Sequence, residues 1–240
     1  MAWRSVAIKL IALGVLFALA ACASRRLHAG FDSTTFRSSP TVFGGVVNLA
    51  YGQVDLNNPE RNGLVMEDVF MTKRRDLRFV PASVLHERIG VERHAHLLDH
   101  YRDGAGIDTS AYLMLAEAMG ADARYLALAR IESVSVAQNR ETADSDYDVN
   151  TDNDNIIKST ERTVWITFNM FDLEARREIW SETRAVTVIS KVTFPAPTGS
   201  GTWSLIKAAL SSEPDYPPPP TAFDALDDGF AYFAASIPKR

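Results

Sequence analysis

Four side chains on one predicted helix have the spacing of a metal site. Between Glu92 and Asp103, at 100° per residue, Leu97, Leu98 and Tyr101 fall on one side. Glu92, His96, His100 and Asp103 gather within a quarter of the circumference opposite them. His96 and His100 are four apart, the separation at which one helix offers two imidazoles to zinc. The same arc faces water, where charged and polar residues four apart are ordinary helix support, and that plainer expectation is carried forward. A second constellation lies in 138–160, where Glu141, Asp144, Asp146, Asp148, Asp152 and Asp154 occur with no basic residue between Glu141 and Ile157. Asn150, Asp152, Asp154 and, in the twelfth place, Glu161 partly satisfy a calcium-loop pattern of alternating hard oxygen ligands closed by a carboxylate. Asn at place one, no glycine at place six and Lys158 at place nine depart from that pattern, and both flanks read as strands. The expectation is an acidic, flexible, solvated loop, and no zinc, calcium or other cofactor is assigned. No Gly-x-Ser-x-Gly elbow, phosphate-cradling glycine loop or His-Glu-x-x-His is present, so the chain reads as a binding protein, not an enzyme.

Cys22 is the sole cysteine. A basic start with Arg4 and Lys9 precedes an apolar run from Leu10 to Ala21, too short to span a bilayer and suited to an export signal. Leu19-Ala20-Ala21-Cys22 closely resembles the lipobox of bacterial lipoproteins. The resemblance implies cleavage between Ala21 and Cys22, a diacylglyceryl thioether on Cys22 and a third acyl chain on its freed amine. At about 0.8 kcal/mol per buried methylene, two or three such chains hold a protein firmly on a membrane. Ala23, not aspartate, follows the cysteine, which favours delivery to the outer membrane with the folded part facing the periplasm.

The formal net charge is −5, and removal of residues 1–21 with their two cations leaves about −7, which argues against nucleic acid as a partner. Acylation of Cys22 leaves no thiol for disulfides, thiolate metal sites or nucleophilic catalysis. Apolar residues at 46% suffice for a well-buried core that must hold by packing alone. Residues 22–40, rich in Ser, Arg, Thr and Gly, read as a lipidated cysteine and flexible tether.

Residues 41–240 read as a single periplasmic α/β domain. A buried strand over Thr41–Tyr51 carries a bulge at Gly44-Gly45. After a polar loop through Asn57-Asn58-Pro59, a helix runs from Leu64 to Arg75, and Leu77, Phe79 and Val80 form a short strand stopped by Pro81. Helices follow over Pro81–Ile89, Glu92–Asp103 and a segment capped by Asp108 or Thr109 that ends at Gly120. A strand then runs from Ala123 to Val136. His94 is expected to pack, while the sequence pattern around His86 and His28 suggests no site. The proline run within 214–220 reads as a stiff polyproline spacer. The last helix, over 221–238, has Thr221 and Asp224 as a capping box and Phe223, Leu226, Phe230, Phe233 and Ile237 as its buried stripe.

The Gly120-Ala121-Asp122 step into a long strand, the run Thr163–Asp172 and its Glu178-Ile179-Trp180 return strand resemble the curli-secretion-lipoprotein-like domains. Periplasmic lipoproteins that activate peptidoglycan synthases share this plan. The resemblance implies a mixed β-sheet flanked by helices, in two or three layers, with no catalytic residues. The secretion channels add two amphipathic hairpins per subunit, and no pair of ten-residue alternating segments with aromatic girdles is evident. The expectation is therefore a non-catalytic envelope adaptor that binds an envelope protein or copies of itself, with a secretion-channel component as the alternative and a zinc- or calcium-binding protein or enzyme as the second alternative. Cys22→Ser is expected to move the protein from the membrane to the soluble fraction and to remove the acyl mass, as read by fractionation and intact mass spectrometry.

Overall fold

The computed structural model describes residues 23–29, 31–104, 106–143, 155–195 and 214–237. Ala21, Cys22, Asn150, Asp152 and Asp154 lie outside the described residues. The chain divides into two units. The first takes Met1–Val134, Val164–Val186 and Leu226–Arg240, the second Ser135–Thr163 and Thr187–Ala225.

Six strands form one mixed sheet. β2 (Thr41–Asn48) runs parallel to β4 (Tyr125–Ala143), with a register shift between Phe43 and Gly45 at the expected bulge. β3 (Phe79–Val80) adds to β2 in parallel at two residues only. β5 (Asn155–Asp172) lies between β4 and β6 (Arg177–Pro195), and β1 (Ala23–Leu27) pairs antiparallel with β6. The four-residue connection between β5 and β6 requires an antiparallel hairpin. Asp172 builds its turn, accepting from the N–H groups of Glu174 and Ala175 at 3.0 Å and from the Arg124 guanidinium at 3.0 Å.

In the first unit, helices cover both faces of the sheet, giving three layers. On one face lie α2 (Pro59–Lys73) and the part of α6 (Ala222–Ser236) from Leu226 on. Phe70 stacks on Phe168 at 5.2 Å, and Phe168 on Phe233 at 5.5 Å. Gly229 permits this approach, since a Cβ there would lie 2.5 Å from Ile166 Cδ1. On the other face lie α3 (Ala82–Ile89), α4 (Val91–Gly104) and α5 (Thr109–Met119). Their Leu85, Leu97, Tyr101 and Leu115 pack with Val42, Leu126, Leu128 and Phe171 of the sheet. Asn58 caps α2 with Pro59 at its first position, Asp108 caps α5, and Gly90 ends α3 at φ 82°.

Among the described residues Arg74 is the most buried cation. Fully buried, it donates to the Ala234 and Ile237 carbonyls at 3.0 and 2.8 Å and binds Asp76 through both carboxylate oxygens. It thereby satisfies orphan carbonyls at the C-terminal end of α6.

In the second unit, Lys158 is buried, with Nζ 2.7 Å from the Pro214 carbonyl and 4.9 Å from the Tyr216 ring centre. Thr160 donates to the Pro217 carbonyl at 2.6 Å. Thr221 and Asp224 form the expected capping box, each accepting from the other's N–H. Among the described residues no helix is long and apolar enough to cross a membrane.

Several expectations are corrected. Residues 23–40 are not a tether. Ala23–Leu27 forms β1, and α1 (Ser33–Ser38) is capped by Asp32 and buries Phe36 against Tyr125 at 5.0 Å. One aromatic and one cap suffice when the docking surface is supplied by distant chain. The ends of the 138–160 segment are strand: β4 continues to Ala143, and β5 begins at Asn155 with Ile156, Lys158, Ser159 and Thr160 buried. The proline segment forms no helix or strand, and its carbonyls are bonded to β5, so it is not a free-standing spacer. Helix α2 starts five residues before Leu64, at the Asn58-Pro59 cap. Arg74→Ala is expected to cost about 3 kcal/mol, because it strips the α6 carbonyls and Asp76 of a buried partner; urea unfolding at neutral pH reads this, with Arg75→Ala as the near-neutral comparison.

Candidate binding groove at the edge of β2

Because β3 ends at Val80 and Pro81 turns the chain into α3, among the described residues β2 has a strand partner on its outer side only at Thr41 and Val42. Beyond Val42 that side meets helices. A groove of about 610 Å³ results, with Gly45 on its floor and α2, the start of α3 and α4 as its walls. Gly45 has φ 126°, a conformation open to glycine, and a Cβ there would lie 3.3 Å from Leu98 Cδ2.

His94 of α4 takes the place of a missing strand. Its Nε2 lies 2.8 Å from the Gly44 carbonyl, so the acceptor fixes the tautomer that carries the proton on Nε2. Its ring stacks on that of His86 from α3, with centroids 5.2 Å apart and planes at 22°. Burial, the larger influence, holds the His94 pKa below its ordinary value, and the bond to Gly44 opposes this. His94 is therefore a neutral donor at neutral pH. On the facing wall, Glu67 Oε1 accepts from the Ala82 N–H at 2.9 Å, tying α2 to the start of α3. Burial pushes the Glu67 carboxyl above the usual carboxylate range, with the Ala82 bond pulling the other way.

Two aliphatic side chains stand at the rim in water: Leu64 is 63% exposed and Val91 67%. Glu60 also lines the groove. The groove thus has an aliphatic lip with a carboxylate at its margin.

The sequence-predicted ligands lie elsewhere. His96 and His100 are exposed and line a second groove, between α4 and α5, together with Arg88, Arg93 and Asp108. His100 is 3.8 Å from Asp108, whereas Glu92 and Asp103 do not line that groove. Glu161 sits in β5. Among the described residues no group of three or more His, Cys, Asp or Glu side chains is arranged to hold a metal. His86, where the sequence pattern suggests no site, has His94 as its partner. Gly45, Leu64, Glu67 and Val91 carried no chemical motif. The available signal was Leu64 and Val91 themselves, aliphatic residues without a place in a buried stripe.

No family model matches the sequence, and no curated protein matches it. Solved structures are similar to it. One is the LpoB C-terminal domain from Salmonella enterica, at 15% identity over 62% of this chain and 82% of that one, with a TM-score of 0.36. Another is the PelC dodecamer from Paraburkholderia phytofirmans, at 11% identity over 88% and 97%, TM-score 0.34. A third is the lipoprotein GNA1162 from Neisseria meningitidis, at 10% identity over 72% and 95%, TM-score 0.31. Lipoproteins are thus among the proteins this chain is similar to, and no residue role is transferred from them.

A histidine whose folded pKa is depressed gives up stability as pH falls, because below 6.5 the unfolded chain takes up the proton first. Glu67, raised above 4.5, acts oppositely: its contribution is full below 4.5 and is lost as pH rises through its folded value. With Glu67 and Glu178, whose carboxyls burial raises alike, both changed to Gln, unfolding free energy is expected to drop as pH falls below 6.5. His94→Gln, which keeps a donor for Gly44, should flatten that slope in urea titrations.

Proposed function

We propose that this chain is a lipid-anchored protein of the bacterial outer membrane, facing the periplasm, that works without catalysis by holding a partner protein in the groove beside β2. The observation that carries this reading is the pair of aliphatic side chains, Leu64 and Val91, standing in water at the rim of a groove with a glycine floor. The lipobox-like Leu19-Ala20-Ala21-Cys22 supports the anchor. Confinement to a membrane raises the effective concentration of the groove near other envelope proteins, so a modest contact suffices. The partner class is an envelope-assembly protein, a peptidoglycan synthase or a second copy of the chain.

One observation favours the secretion-channel alternative: β4, β5 and β6 continue through 135–143, 155–163 and 187–195. Each run is about the length of a membrane-crossing strand. Against it, the exposed positions Thr187, Ile189, Lys191 and Thr193 on β6 do not make an apolar band, and the adaptor reading is preferred.

A photo-crosslinking residue at Leu64 in intact envelopes is expected to capture one discrete species, and Val91→Asp should cut the yield at least several-fold. The comparison is the same residue at Leu113, which is 48% exposed on α5. Identical patterns from Leu64 and Leu113 would refute the groove.

A further inference from the structure

We propose that the acyl group on Cys22 holds the β1 edge of the first unit directly against the lipid headgroups, with no slack between anchor and fold. This rests on the reading of Cys22 as the lipidated residue. A flexible stretch over 22–40 would let the domain range about 60 Å from the bilayer. The structure removes that freedom. β1 begins at Ala23, one residue after the anchor, and its backbone is fixed in register from Ala23↔Arg184 to Leu27↔Trp180. The ladder continues with the His28 N–H donating to the Ile179 carbonyl at 3.0 Å. Consecutive Cα atoms are about 3.8 Å apart, so the lipid-bearing residue departs from the edge strand of the sheet itself.

The side chains around this point suit a headgroup layer. Arg25 and Arg26 are exposed, and Arg25 Nη2 donates to the Ser236 carbonyl at 3.1 Å with its guanidinium over the Trp180 ring. Arg184, opposite Ala23, lies over the Tyr232 ring at 3.3 Å. Arg25 and Arg184, on adjacent strands and each backed by an aromatic face, stand on one side of this edge and Arg26 on the other, beside Glu178. Guanidiniums thus flank the edge on both faces and suit the phosphates of a lipid surface on an otherwise acidic protein. The anchor thus selects a membrane-facing side: the β1 edge.

The test uses the full-length acylated protein in vesicles of phosphatidylethanolamine and phosphatidylglycerol. With Cys22 acylated, a nitroxide attaches only at an introduced thiol. Arg26→Cys reports beside the anchor. Ala121→Cys reports at the end of the first unit where the β5–β6 turn lies, away from Ala23. Relaxation by a nickel-chelating lipid headgroup is expected to be several-fold stronger at position 26 than at position 121, and Leu27→Cys repeats the reading should Arg26→Cys fold poorly. A twelve-residue Gly-Ser insertion between Cys22 and Ala23 should abolish the difference. Equal, weak relaxation at both sites without the insertion, or a difference that survives it, overturns the proposal. Failure of the lipid reading itself looks different: the protein would not float with the vesicles, and Cys22 would take up label.

Discussion

The outer edge of β2 beyond Val42 has no strand to pair with among the described residues, and much of the first unit follows from that constraint. Unpaired backbone groups next to a core need partners. His94 supplies one by donating to the Gly44 carbonyl, and this requires α4 to lie close over a strand bulged at Gly44-Gly45. Close approach in turn requires the absence of side chains on the strand. A Cβ at Gly44 would fall 2.5 Å from Leu128, and one at Gly45 would press on Leu98. Helices covering an edge do not fill it as a strand would, so a groove remains with a polar lock on each wall and aliphatic residues at the lip.

The same groove depends on contacts made far from it. Tyr101 of α4 is buried and donates to Asn169 of β5 at 2.6 Å, and Asn169 donates to Glu178 and Ser181 of β6. Burial pushes the Tyr101 hydroxyl well above its ordinary pKa, so it stays a donor, and α4 is pinned to the middle of the sheet. On the opposite face, α2 is held through the Phe70, Phe168 and Phe233 stack and through Arg74, which locks the end of α6. Each wall of the groove is therefore fixed from a separate layer. A surface so held is suited to presenting a constant shape to a partner, since little conformational freedom remains to be lost on binding.

Local signals and long-range docking were unequally legible in the sequence. Caps could be read, because they act within one helical turn: Asp108 bonds the Ala111 N–H, and Thr221 and Asp224 bond each other's. The bulge at Gly44-Gly45 and the stop at Gly90 were readable for the same reason. Strand length was not. β4, β5 and β6 run to 19, 18 and 19 residues, well past the apolar alternation, because neighbouring strands supply hydrogen bonds whatever the side chains are. Residues 23–40 misled in the other direction: their composition is that of a linker, yet β1 needs only a free edge on β6, and α1 only a place for Phe36.

What the sequence determined by itself is what depends on neighbours in the chain: a short apolar run closing on a lone cysteine, the helix ends marked at Gly90, Asp108 and Thr221, and an α/β succession. The helix wheel also placed His96 and His100 in water, where the structure has them. Only the tertiary structure decided which side chains meet. It set His86 on His94, Glu67 on the Ala82 N–H, and Leu64 and Val91 on either side of one groove. These pairs come from three helices whose relative placement follows from where β3 stops, a fact of sheet pairing that no local periodicity encodes.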